Sequence, residues 1–147
     1  MQPVARPPVR PMEKLPVILL VDDDEVTNFA NMRLLKELEV AHDVLMVTDG
    51  REALLLLSQE PPLEPTLLLL DVSMPDIDGI TFLEEFQHLP AAQQAATRVV
   101  MLTTAMAARD LARLDELPIA GLVSKPLTRE KVNTLLQLHF QRQLPDA

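Results

Sequence analysis

Five polar side chains stand directly after the apolar runs of this chain, and their types suit phosphate and metal chemistry. The runs at 17–21, 67–70, 99–103 and 121–124 are followed by Asp22 and Asp23, Asp71, Thr104 and Lys125, respectively. In an open parallel sheet, ligands bind just beyond the carboxyl ends of the strands, so these residues could share one pocket although they lie far apart in sequence. The pocket would combine three carboxylates, one ammonium and one hydroxyl. Phosphoryl transfer needs such a set, namely a nucleophile, ligands for a divalent cation and a positive group for the phosphoryl oxygens.

Alternating strand and helix patterns provide the elements that must position these residues. Strands are predicted near 17–21, 44–47, 67–70, 99–103 and 119–124, and helices near 26–38, 51–58, 82–86, 107–114 and 132–140. Asp24 and Glu25 are typical of a helix entry, and Thr128 is a plausible N-cap of the last helix. Five βα units in succession predict an α/β fold with a parallel sheet covered by helices on both faces.

Composition limits the function classes. The 147 residues suit one domain, which we place at 15–142, after a flexible Pro-rich tail at 1–14 and before a C-terminal tail at 143–147. A net charge of -9 argues against nucleic-acid binding, and the absence of cysteine excludes thiolate chemistry and cysteine-bound metal. No apolar run is long enough to span a bilayer, so we expect no membrane contact and a cytoplasmic location.

Four motifs in order resemble the receiver domain of bacterial two-component response regulators. They are the acidic pair Asp22-Asp23, the segment from Leu70 to Gly79 around Asp71, the Thr104-Ala105 step, and Lys125-Pro126. The resemblance covers roughly residues 15 to 142, and each motif is weak alone but strong in this order. It implies a flavodoxin-like, doubly wound sheet of five parallel strands in the order 2-1-3-4-5 with five helices.

The resemblance also implies a role for each residue at the site. Asp71 would be the phosphoacceptor that attacks a phosphohistidine, with Thr104 hydrogen-bonded to the phosphoryl group and Lys125 paired with it. The lysine–proline bond of the family is generally cis, which would direct Lys125 inward. Mg²⁺ prefers oxygen ligands and retains waters, so Asp23, Asp71 and the backbone carbonyl of Ser73 would bind it directly, and Asp22 through water.

On this resemblance the protein is a stand-alone, chemotaxis-type receiver and a signalling switch. It would accept a phosphoryl group from a sensor histidine kinase or phosphotransfer protein and pass the signal to an unknown downstream protein. The signal would leave through the surface of the helix near 107–114, the fifth strand and the last helix. Autophosphatase activity is the only enzymatic activity we expect, and a homodimer is left open. Only 21 residues follow Pro126, so we expect no effector domain.

Two alternatives remain at this point. A receiver-like docking module would keep the fold and work without phosphorylation. A haloacid-dehalogenase-like phosphatase would use Asp22 as nucleophile and Asp24 as acid/base, but the chain offers no acidic motif of that family after Lys125. Leu122 is a departure from the receiver pattern, because the family often has an aromatic residue there that turns inward on phosphorylation.

Overall fold

A computed structural model describes residues 13–59, 66–71, 79–103 and 119–144, with backbone only at 79 and 80. Its five strands are parallel and lie in the order β2-β1-β3-β4-β5. They are β1 (Leu15–Val21), β2 (Ala41–Val47), β3 (Thr66–Asp71), β4 (Thr97–Thr103) and β5 (Gly121–Ser124). The predicted sheet and its strand order are confirmed.

Five helices occur in the described part of the chain. They are α1 (Glu25–Glu37), α2 (Gly50–Leu57), α3 (Gly79–Phe86), α4 (Ala91–Ala96) and α5 (Arg129–Phe140). The short α4 has no counterpart among the predicted helices, although its sequence is rich in alanine, the strongest helix former. The helix predicted near 107–114 lies outside the described residues. None of the described helices is long and apolar enough to cross a bilayer.

The sheet separates two apolar clusters. One contains Leu19, Val21, Leu68, Leu70, Val99 and Met101 with residues of α2 and α3. The other contains Ile18, Leu20, Leu67, Leu69, Val100 and Leu102 with residues of α1 and α5. Because side chains alternate along a strand, consecutive residues of the central strands are buried on opposite faces. Every residue of β3 is buried, as its near-continuous leucines predict.

The first two turns of helix α1 bury a different face from the one that their apolar residues indicate. Val26 and Phe29 are 77% and 55% exposed, whereas the buried residues of the helix are Asn28, Asn31 and Leu35. The predicted helix is confirmed, but its first two turns direct amides inward and apolar side chains outward.

Register brings the carboxyl ends of the inner strands into line. Val21 pairs with Leu70, and Asp71 pairs with Leu102. Thr103 pairs with Ser124 at the end of β5. The residues that follow β1 and β5 and the residue that ends β3 are therefore neighbours at one edge of the sheet.

Candidate functional site

Lys125 joins two carboxylates at the carboxyl edge of the sheet. Its Nζ lies 3.0 Å from Oδ1 of Asp71 and 3.2 Å from Oδ2 of Asp22. Both carboxylates are buried, and 103 residues separate the lysine from Asp22 in sequence. The structure thus brings together three residues that sequence analysis places at three different strand ends.

The carboxylates keep the lysine charged. Burial by itself would lower the pKa of Lys125, but the hydrogen bond to Asp71 and the charges of Asp22 and Asp71 outweigh it, and the net pKa is raised. An ammonium fixed against a carboxylate is suited to pairing with anionic oxygens beside that carboxylate. The Lys125–Pro126 peptide bond is cis, as the resemblance implies.

Asp23 completes a cluster of three carboxylates. Oxygen atoms of Asp22, Asp23 and Asp71 lie within 4.8 Å of one another, and Asp23 is exposed while the other two are buried. All donors in the cluster are hard oxygens, which suit Mg²⁺. The cluster bears three negative charges against one ammonium, and a divalent cation would balance the remainder.

Asp24 caps α1 and is not part of the carboxylate cluster. Its carboxylate accepts hydrogen bonds from the backbone N–H of Val26 at 2.9 Å and from the hydroxyl of Thr27 at 2.9 Å. The Thr27 hydroxyl and then the backbone N–H donors lower the pKa of Asp24. Its own N–H donates to Oδ1 of Asp22 at 2.9 Å. The prediction of Asp24 as a helix-entry residue is confirmed.

The loop that carries Lys125 is held by Lys131 from the first turns of α5. Its Nζ donates to the carbonyl of Ser124 at 2.8 Å and to the carbonyl of Pro126 at 2.9 Å. These two residues flank the site lysine. Thr128 caps the helix by accepting from the N–H of Lys131, which confirms the predicted N-cap.

Sequence analysis missed Asn28 as a residue of this region. Its Nδ2 donates to the carbonyl of Asp22 at 2.9 Å and to that of Val47 at 3.1 Å. The sequence signal that could have identified it is an amide residue four positions after a helix N-cap that follows an acidic pair. That signal predicts a contact with the acidic pair only if the amide lies on the buried face of the helix.

Two predicted site residues, Ser73 and Thr104, lie outside the described residues.

Leu122, which occupies the position of the usual aromatic residue, is 43% exposed on β5. It lines a cavity of about 290 Å³ between β5 and α5, together with Leu138 and His139. Burial and then the charge of Arg98 lower the pKa of His139.

Comparison with known proteins identifies the family. The family model described as the response regulator receiver domain matches residues 18–137. The response regulator Rcp1 of Synechocystis sp. is 31% identical over 113 residues, which cover 74% of this chain and 76% of Rcp1. The crystal structure of a response regulator receiver protein from Dyadobacter fermentans has a TM-score of 0.73 and 28% identity, and covers 82% of this chain and 94% of that protein.

Some of the relatives are much longer than this chain. The signal transduction histidine-protein kinase BarA of Escherichia coli K12 is 31% identical over 129 residues, which are 88% of this chain but 13% of BarA. The similarity to BarA therefore extends to one part of that protein alone.

The match to the family model spans most of the chain and includes Asp22, Asp23, Asp71 and Lys125. We conclude that this protein belongs to the response regulator receiver domain family.

Proposed function

We propose that this protein is a phosphoacceptor switch in which Asp71 takes a phosphoryl group from a phosphohistidine of a sensor histidine kinase or phosphotransfer protein. The observation that carries the proposal is the Lys125 ammonium, which lies 3.0 Å from the Asp71 carboxylate beside two further carboxylates. This arrangement supplies a nucleophile, a fixed positive charge and oxygen ligands for a cation at one edge of the sheet.

The transfer forms one bond and breaks another. A carboxylate oxygen of Asp71 attacks phosphorus, the phosphorus–nitrogen bond of the phosphohistidine breaks, and its electron pair stays on the imidazole nitrogen. The product is an aspartyl phosphate. Lys125, already held by Asp71 and Asp22, would pair with a phosphoryl oxygen, and we assign the hydroxyl of Thr104 to the same group. Hydrolysis of the aspartyl phosphate would return the switch to its first state.

The three carboxylates fit Mg²⁺. We assign Asp23, Asp71 and the backbone carbonyl of Ser73 as direct ligands and Asp22 as a ligand through water. Bound Mg²⁺ would neutralise charge on the phosphoryl oxygens. Lys125 already contacts both Asp22, which follows β1, and Asp71, which ends β3, so these two carboxylates are placed before any cation arrives.

We assign the output to the surface of β5, α5 and the segment that precedes β5. Leu122 on β5 and Leu138 on α5 are exposed apolar side chains of this surface, and such side chains favour protein partners over solvent. Attraction of Thr104 to the phosphoryl group would change the segment after β4. Leu122 has no hydroxyl to exchange between solvent and interior, so it would pack without relaying the signal. The partner would be a downstream protein, and the location cytoplasmic.

The alternatives find less support. In the phosphatase hypothesis Asp24 would be the acid/base, but its carboxylate accepts the hydrogen bonds that cap α1. A docking module that works without phosphorylation would have no use for a half-buried ammonium held between two buried carboxylates, because removing such charges from water is costly. Neither alternative gives a role to the whole cluster.

Labelling with a phosphoryl donor tests the proposal. Acetyl phosphate with Mg²⁺ should add one phosphoryl group to the parent protein, detected by mass spectrometry, and Asp71→Asn should prevent it. Asp43→Asn removes an exposed carboxylate of β2 and should be labelled like the parent. Label mapped to Asp22 would support the phosphatase, and a folded parent protein that takes no label would support the docking module.

A further inference from the structure

Asn28 joins the end of β2 to the acidic loop after β1. Its side chain is buried, with 2% of the residue exposed. Its Nδ2 donates to the carbonyl of Asp22 at 2.9 Å and to the carbonyl of Val47 at 3.1 Å. One primary amide has two N–H donors, and both are used here on backbone carbonyls.

These bonds fix the main chain of Asp22 on both sides. The carbonyl of Val47 also accepts the N–H of Asp22, at 3.2 Å. The N–H of Asp22 is therefore held by β2 directly, and its carbonyl is held by β2 through Asn28. The Asp22 carbonyl belongs to the peptide group that links Asp22 to Asp23, so the orientation of this peptide group depends on Asn28.

A gain in the free energy of folding does not explain why the Asn28 amide is buried. Its Oδ1 is buried and has no hydrogen-bond partner among the described residues. An unsatisfied buried acceptor is unfavourable, and an apolar side chain on the same face would add to the cluster that contains Leu35. The feature that an apolar residue could not reproduce is the pair of donated hydrogen bonds.

We propose that Asn28 is a positioning residue for the cation site, acting through the Asp22–Asp23 peptide group to direct the Asp23 carboxylate toward Asp71. The proposal deepens the proposed function and rests on it. Asp22 is anchored by Lys125 and by the N–H of Asp24, whereas Asp23 is exposed and takes its direction from the backbone. Removing a group that orients a metal ligand typically weakens metal binding by about 10-fold to 100-fold.

The test compares two substitutions on one helix. Asn28→Leu keeps the approximate shape of the side chain and removes both donors. Asn31→Leu makes the same change one turn later on the same buried face, away from the acidic loop. Calorimetric titration of each protein with Mg²⁺ alone should give a dissociation constant raised about tenfold in Asn28→Leu, and a constant equal to that of the parent in Asn31→Leu.

Two further readouts separate positioning from a loss of fold. In acetyl phosphate labelling, Asn28→Leu should need more Mg²⁺ for half-maximal rate but reach the parent rate at saturation. In metal-free NMR spectra, the amide signals of residues 22–24 should move in Asn28→Leu and stay in place in Asn31→Leu. Equal Mg²⁺ affinity in Asn28→Leu and the parent would overturn the proposal, as would a loss of affinity of the same size in Asn31→Leu.

A measurement on the unsubstituted protein covers the case in which Asn28→Leu does not fold. Both Nδ2 protons of Asn28 should exchange slowly with solvent in the metal-free protein, and exchange at the rate of an exposed amide would overturn the proposal. If the parent binds Mg²⁺ and is labelled while Asn28→Leu matches it, only the role of Asn28 fails. If the parent binds no Mg²⁺, the proposed function fails at its cation and the role of Asn28 fails with it.

Discussion

Neutralising Asp23 should stabilise the metal-free protein and remove most of its response to Mg²⁺. Oxygen atoms of Asp23 lie within 4.8 Å of those of Asp22 and Asp71. Lys125 contacts the other two carboxylates at 3.0 and 3.2 Å. Asp23 therefore faces a group of three charges whose sum is one negative charge.

The size of the effect follows from this geometry. Two unit charges 4.8 Å apart repel by about 0.9 kcal/mol at a dielectric constant of about 80 and by about 3.5 kcal/mol at about 20. Because Asp23 is exposed, the lower figure applies, and salt reduces it further. For a chain of this size, about 1 kcal/mol corresponds to a change of about 2–4 °C in melting temperature. Asp23→Asn should raise the metal-free melting temperature by this amount.

The assay is a pair of thermal melts, one with a chelator and one with Mg²⁺ in excess. A ligand at about a hundred times its dissociation constant stabilises the folded state by about 2.7 kcal/mol, so the parent should lose stability when the metal is removed. Asp23→Asn lacks one proposed ligand and should show little difference between the two melts. Asp23→Asn should therefore melt at a higher temperature than the parent without the metal, and at a lower temperature than the parent with Mg²⁺.

A control is needed because the chain has a net charge of -9, and any lost carboxylate lowers the general repulsion. Asp43→Asn changes an exposed carboxylate of β2 and measures that general effect. The reasoning would be refuted if Asp23→Asn lowered the metal-free melting temperature relative to Asp43→Asn and left the Mg²⁺ response intact. The acidic pair would then be a structural element of the loop.

Two predictions concern residues of α5. Lys131→Met should lower the free energy of unfolding by about 0.5–1.5 kcal/mol in denaturant melts, because the ammonium donates to the carbonyls of Ser124 and Pro126; an unchanged value would mean that water replaces these bonds at no loss. Burial and the charge of Arg98 lower the pKa of His139, so the unfolded chain binds the proton more tightly and stability falls as pH drops from about 7 to about 5.5. His139→Gln should flatten this part of the stability curve, and parallel curves for the two proteins would contradict the prediction.

The convergence of Asp22, Asp71 and Lys125 could be predicted from sequence because it depends on two strong signals. Apolar runs mark the strands, and parallel strands end at the same edge of the sheet. The runs identify where each strand stops to within a few residues, although β1 begins at Leu15 and so includes Pro16. Side-chain contacts across the edge then follow from strand order, which the resemblance supplies.

The buried face of α1 could not be predicted in this way. Apolar residues in this helix occur on more than one face, and the periodicity that includes Val26 and Phe29 is as regular as the one that includes Leu35. Only contacts with β1 and β2 decide between them, and those contacts favour Asn28 because two backbone carbonyls lie within reach of its amide. Similarly, the six residues of α4 are too few for a period to be recognised.

The two ends of α1 therefore serve different purposes. Leu35, near the C-terminal end, is buried in an apolar cluster and stabilises the fold. At the N-terminal end, the Asp24 side chain caps the first turn of the helix and the Asn28 side chain donates to the carbonyl of Asp22, while Phe29 stays exposed. The first turns gain little from apolar burial, because the inward position is taken by the Asn28 amide, which we propose orients a cation ligand. A substitution that buries more apolar surface at Asn28 would add packing at the expense of that orientation, so stability and Mg²⁺ affinity should move independently at this position.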